Sequence, residues 1–135
     1  MHKVYLSLGS NLGNKEQNLT SAISEIGRRI GDITAQSAFL ETEPWGFDSD
    51  HSFLNAAVCV ETELSPHDLL HATQQIERDL GRMQKSEQGL YHDRIIDIDI
   101  LLYDDLYIQT PELTIPHPLM QQRDFVLIPL KEIMK

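Results

Sequence analysis

Residues 93–103, DRIIDIDILLY, constrain this chain more than any other stretch. Side chains of an extended strand alternate faces, so Asp97 and Asp99 project from one face and Ile96, Ile98, Ile100 and Leu102 from the other. A strand of this kind must border a core on one side and something that tolerates charge on the other. Ionised carboxylates roughly 6–7 Å apart repel each other and lose solvation when covered, so a positive partner is expected between them. Two sources stay open on these residues alone. One is a divalent cation such as Mg²⁺, which takes one or two carboxylates and fills its shell with water and phosphate oxygens; the other is Arg82 or Arg94 with backbone donors.

Size and charge narrow the classes. A chain of 135 residues with 41% hydrophobic content is read as one domain, 1–135, with a core of its own. No run approaches the ~20 apolar residues of a membrane span, and the opening MHKVYLSLGS lacks the layout of a signal peptide, so a cytoplasmic protein with no membrane partner is expected. The single Cys59 sits in the apolar run NAAVCVE and reads as a packed side chain. A formal net charge of −10 argues against nucleic acid as a partner, since that binding rests on clustered Lys and Arg. Yet Arg82, Lys85, Arg94 and Arg123 fall in the same segment as Asp97 and Asp99, and with a metal they suit a polyphosphate.

In chain order, KVYLSL (3–8) reads as a first strand followed by a Gly/Asn turn. Gly9, Gly13 and Lys15 miss the spacing of a phosphate-binding loop, which leaves a turn that lets the backbone come close to something. Asn14 caps a helix whose apolar stripe is Leu19, Ile23, Ile26 and Ile30, ending near Gly31. A second strand is predicted over 33–41. The loop after it carries Trp45 and Phe47, and a third strand over 53–64 places Asn55 among apolar neighbours, where it needs hydrogen-bond partners from backbone or ligand. Ser65 and Pro66 start a helix with Leu69, Thr73, Ile76 and Leu80 facing inward and Gly81 closing it. Residues 82–93 are a polar loop that, with 42–52, reads as a lid. After the central strand come a hairpin-like piece over 107–115 and a last apolar strand or extended segment. The order β-α-β-β-α-β gives an α+β fold of the ferredoxin-like, split β-α-β kind: one antiparallel sheet, helices packed on one face, a small C-terminal addition. The last strand then lies beside the first, with Asp97 and Asp99 near Gly9–Gly13.

Taken together, YLSLGSNLG (5–13), ETEPWG (41–46), FLNAAV (53–58), Gly81–Arg82, DRIIDIDILLY (93–103) and IPHPLMQQRDFVLIPL (115–130) resemble the 6-hydroxymethyl-7,8-dihydropterin pyrophosphokinases of folate biosynthesis. The resemblance covers nearly the whole chain. It implies transfer of diphosphate from ATP to a pterin alcohol, with AMP released, by a monomeric domain needing two Mg²⁺ ions. It implies that Asp97 and Asp99 hold the metals and, with Arg82 and Arg94, form the catalytic set. The pterin site would comprise Thr42, Glu43, Trp45, Asn55 and the stacking rings of Phe53 and Phe125; the ATP site, Glu77, Arg82, Arg94, Ile100, His117 and Arg123. The chain departs from the commoner pattern at Glu43, Phe53, Gln84 and Tyr91, and its 82–94 loop is longer by Gly89 and Leu90. Two rivals use the same residues: a ligand sensor without turnover, and a metal-dependent phosphohydrolase with water as acceptor.

Overall fold

The computed structural model describes residues 1–42, 52–81, 95–118 and 120–134. Its elements are β1 (His2–Ser10), α1 (Lys15–Arg29), β2 (Gly31–Gln36), β3 (Leu40–Thr42), β4 (Phe53–Thr62), α2 (Pro66–Gly81), β5 (Asp97–Tyr103), β6 (Ile108–Gln109), β7 (Thr114–Ile115) and α3 (Asp124–Ile133). The helix starts follow their caps. Asn14 Oδ1 accepts from the Gln17 N–H, and Ser65 Oγ from the Asp68 N–H. The turn before α1 is marked by Gly13 at φ 67°, a conformation glycine adopts without strain.

The main sheet runs β2-β4-β1-β5, all antiparallel, with β3 pairing on β4 as well. β1 is therefore paired along both edges, and it is buried from Val4 to Ser10. One face carries Val4, Leu6, Leu8, Ala56, Val58, Val60, Ile98 and Ile100 against Leu19, Ala22 and Ile26 of α1 and Leu69 and Ile76 of α2. The other carries Tyr5, Cys59 and Leu101 against Val126 and Leu130 of α3. Cys59 is packed as expected. No helix among the described residues is long and apolar enough to cross a membrane.

Three expectations are corrected. The residues expected to form one strand over 33–41 form β2 and β3, because Ser37 leaves the ladder to exchange bonds with Ala57: its N–H donates to the Ala57 carbonyl and its Oγ accepts from the Ala57 N–H. Leu102 does not join Ile96, Ile98 and Ile100. A register shift between Tyr5 and Leu6 inserts one residue into β5, so that Leu101 and Leu102 pack with the second cluster while Tyr103 returns to the first. The C-terminal segment, expected to be extended, is the helix α3, so helices cover both faces of the sheet. Its apolar run hides a helical period: Val126, Pro129 and Leu130 are the buried positions, spaced three and one apart, and Pro129 removes only one amide from a single ladder.

Thr62 joins three elements at the far end of the sheet. Its hydroxyl donates to the Ile30 carbonyl at 2.7 Å and accepts from the Leu64 N–H at 3.1 Å, with the residue 1% exposed. Thr62→Val keeps the shape and leaves a buried carbonyl and a part-buried amide without that partner. It is expected to lower unfolding free energy by about 1–3 kcal/mol at unchanged m-value in urea titration.

Candidate active site

The central position of β1 sets the geometry of the polar end of the sheet. Gly9 lies opposite Asn55 of β4 on one side and Asp97 of β5 on the other, and Ser7 lies opposite Ala57 and Asp99. Residues directly opposite in an antiparallel pair share a face, so Asn55, Gly9 and Asp97 form one cross-strand row about 10 Å across. The row lies on the face that α3 covers further along. Its middle carries no side chain: a Cβ on Gly9 would stand 3.1 Å from Asn55 Oδ1 and 3.4 Å from the Phe53 ring. Glycine thus provides a floor between an amide and an acid.

On the amide side, Asn55 is 2% exposed and donates from Nδ2 to Thr42 Oγ1 at 2.8 Å and to the Leu40 carbonyl at 3.3 Å. Thr42 pairs with Phe53 where β3 meets β4. The structure therefore brings Thr42, Phe53 and Asn55 together, and β3 and the protein's own backbone orient the amide.

On the acid side, Asp97 and Asp99 are half-buried neighbours on β5. Glu77, near the end of α2, reaches them: its Oε2 accepts from the Ile98 N–H at 2.7 Å. Burial first, and the charges of Asp97 and Asp99 after it, push the Glu77 carboxyl up to about 8, against the pull of the Ile98 amide. This favours the protonated form of Glu77 beside the two aspartates. His117 Nε2 stands 3.9 Å from Asp99 Oδ2, and the His117 N–H is anchored on the Leu101 carbonyl at 3.0 Å. Burial, and then the nearby Arg123 guanidinium, hold the imidazole below its usual range, favouring the neutral ring. Arg123 is the N-cap residue of α3 and lies 5.6 Å from the centre of the Phe125 ring.

Beside this group a cavity of about 230 Å³ follows the edge strand β5, between Leu70, Ile98, Ile100, Leu113 and His117, with Asp99 at its rim. Its outer wall comes from the β6–β7 hairpin, Pro111 to Thr114. Sequence reading gave Ile100 and His117 but not Leu70, Ile98 or the hairpin wall, which meet only through the tertiary fold. Glu43, Trp45, Arg82 and Arg94 lie outside the described residues, as do most of the two loops read as lids.

The donor set fits a hard divalent ion that brings other ligands with it. Among the described residues no group of three His, Cys, Asp or Glu forms a closed cage. Two half-buried carboxylates on one face match the one or two that Mg²⁺ takes beside phosphate oxygens.

Such an arrangement on a mixed α/β scaffold defines a class of site, one suited to a phosphate-bearing ligand that arrives with a divalent ion. The model of the family 7,8-dihydro-6-hydroxymethylpterin-pyrophosphokinase (HPPK) matches residues 5–135, and the chain belongs to that family. It is 57% identical over 132 residues to a 2-amino-4-hydroxy-6-hydroxymethyldihydropteridine pyrophosphokinase of Porphyromonas gingivalis, covering 96% of this chain and 89% of the relative. It is 42% identical over 130 residues to the Bacillus subtilis protein of the same description, covering 96% and 76%. In fold it is similar to a crystal structure of Plasmodium falciparum HPPK-DHPS, with a TM-score of 0.75 at 17% identity over 98% of this chain and 40% of that one.

The raised Glu77 carboxyl gives a pH dependence of stability. Its folded value of about 8 stands above the ordinary 4.5, so the folded state holds the proton more tightly and this group's contribution is lost as pH rises between those values. Glu77→Gln keeps an oxygen for the Ile98 N–H and removes the charge. In chelator-treated buffer its melting temperature is expected to exceed that of the unsubstituted protein at about pH 8, and the gap to close near about pH 5. A gap independent of pH would contradict this.

Proposed function

We propose that this chain transfers the diphosphate of ATP to the hydroxymethyl group of 6-hydroxymethyl-7,8-dihydropterin, releasing AMP, as a step of tetrahydrofolate biosynthesis. The observation that carries the residue assignment is the Asn55–Gly9–Asp97 row, which supports two substrates side by side on one floor. We read the domain as spanning 1–135 and acting as a cytoplasmic monomer without nucleic acid or membrane. The order β5-β1-β4-β2, with α1 and α2 as crossovers, supports the ferredoxin-like, split β-α-β plan, to which β3, the hairpin and α3 are additions.

In the reaction the pterin hydroxymethyl oxygen attacks the β-phosphorus of ATP in line. The new O–P bond forms as the bond from that phosphorus to the bridging oxygen of the α-phosphate breaks, AMP leaves with that oxygen, and the hydroxyl proton passes to solvent. Two Mg²⁺ ions, when held by Asp97 and Asp99, supply charge neutralisation at the phosphate oxygens. The remaining work is positioning. The cavity along β5 takes the adenosine end on Ile98, Ile100 and Leu113. Neutral His117 donates to a phosphate oxygen, and Arg123 supplies countercharge; Arg82 and Arg94 complete the set on the strength of their family positions. Glu77 orients Asp97. Asn55 and Thr42 read the amide edge of the pterin, Phe53 and Phe125 stack on its ring, and Glu43 and Trp45 finish that pocket.

The test is AMP release from ATP and Mg²⁺ with and without hydroxymethyl-dihydropterin. AMP formed only with the pterin supports the assignment. Phosphate or AMP released without it indicates the hydrolase, and pterin binding with no AMP indicates the sensor. Asp97→Ala and Asp99→Ala are each expected to lower kcat by far more than tenfold, a change of about 1.4 kcal/mol, while the protein stays folded. Asn55→Ala is expected to weaken pterin binding by about 1–3 kcal/mol in calorimetric titration beside a non-hydrolysable ATP analogue, and to leave analogue binding unchanged.

A further inference from the structure

Lys15 is the first residue of α1, the end at which the helix dipole is least favourable to a cation. Helix stability therefore does not explain it, and its contacts lie elsewhere. The Nζ donates to the Ser52 carbonyl at 3.3 Å, to Ser52 Oγ at 3.2 Å and to Glu41 Oε2 at 3.4 Å. Ser52 Oγ in turn donates to Glu41 Oε2 at 2.6 Å, closing a three-membered polar ring. The Ser52 hydroxyl first, and then Lys15, hold the Glu41 carboxyl below its usual range, as expected for an acid that accepts from both.

The three residues come from three places: the start of α1, the three-residue strand β3, and the residue before β4. Glu41 precedes Thr42, and Ser52 precedes Phe53. The ring thus ties together the paired ends of β3 and β4 at the point where Thr42 meets Phe53, two residues from Asn55. A strand of three residues is weak alone, and Thr42 is the partner that orients the Asn55 amide. The Lys15 end is firm. Asn18 Nδ2 donates to the Leu12 carbonyl at 2.8 Å and to Ser10 Oγ at 3.1 Å, fixing the turn beside Gly9. Lys15 is a strut from that turn to the mouth of the β3–β4 pair.

We propose that Lys15 is a positioning residue for pterin recognition, acting through Glu41 and Ser52 to hold Thr42 and Phe53 in register with Asn55. This rests on the assignment of Thr42, Phe53 and Asn55 to the pterin. The acid side of the floor lies across β1 from the strut, so ATP handling is independent of it. Lysine suits the place because one ammonium supplies three donors to three acceptors. Loss of the strut lets the receptor face sample misaligned positions, and misplacement by about 1 Å is enough to weaken recognition severalfold or more.

The experiment compares Lys15→Met, Lys15→Arg and Glu41→Gln with the unsubstituted enzyme in steady-state assays varying each substrate, and in calorimetric titration of the pterin beside a non-hydrolysable ATP analogue. Lys15→Met is expected to raise KM and Kd for the pterin about tenfold, with KM for ATP and kcat within about twofold. Glu41→Gln should move the same constants in the same direction by less, and Lys15→Arg should recover most of the loss. Pterin constants unchanged in Lys15→Met, or pterin and ATP constants rising together, overturn the proposal. Should Lys15→Met be poorly folded, the Glu41→Gln pair of constants decides alone on the same criterion. An unsubstituted enzyme that forms no AMP with the pterin would instead refute the functional assignment, so the two failures are separable.

Discussion

The structure depends on the double pairing of β1. Paired with β4 throughout and with β5 over Val4–Gly9, the strand directs its backbone groups into the sheet, which allows it to be buried even where its side chains are Ser7, Gly9 and Ser10. That backbone is what holds β4 and β5 in fixed register. Asn55 and Asp97 are 42 residues apart in sequence yet share a row, because each answers to Gly9. No contact between the two side chains is needed.

The two faces of the sheet divide the work. The face under α1 and α2 is continuous hydrocarbon from β4 across to β5, and its burial is the dominant stabilising contribution. The other face is split. α3 covers the end with Tyr5, Cys59 and Leu101, and the remaining end carries Ser7, Asn55, Asp97 and Asp99. Half-burying two carboxylates with Glu77 behind them costs stability, since each lowers the solvation of the next. Protonation of Glu77 relieves part of that cost.

What the sequence made legible follows from locality. The period-two pattern of Asp97–Ile100, the Asn14 and Ser65 caps and the stripe Leu19–Ile26 each depend on residues a few positions apart, and each reappears in the structure. The acid pair was readable for the same reason. The failures share another origin. The β5 bulge that turns Leu102 to the second cluster is imposed by β1, and the break at Ser37 by Ala57. The run that forms α3 predicts an extended segment, because a short run of β-favouring apolar residues does not declare its period, and its helical pattern emerges only against Tyr5, Cys59 and Leu101. The hairpin wall of the cavity and the link from Lys15 to Ser52 are likewise invisible in any window of sequence.

Glu77 joins these two kinds of information. From sequence it was an acid near the end of a helix, resembling a contact at the adenosine end of ATP; in the fold it bonds the Ile98 amide between the two aspartates. A single backbone amide thereby ties α2 to the outer edge of β5 beside the acid pair. An edge strand has unpaired groups on one side, and a drift of one residue would carry Asp97 and Asp99 to the core face. Tyr103 restrains the other end of the same strand, donating from its hydroxyl to the Leu64 carbonyl just before α2. The register of the acid pair is thus held by β1 along one edge and by the α2 region along the other, and a neutral Glu77 can accept the Ile98 amide without adding a third charge to the site.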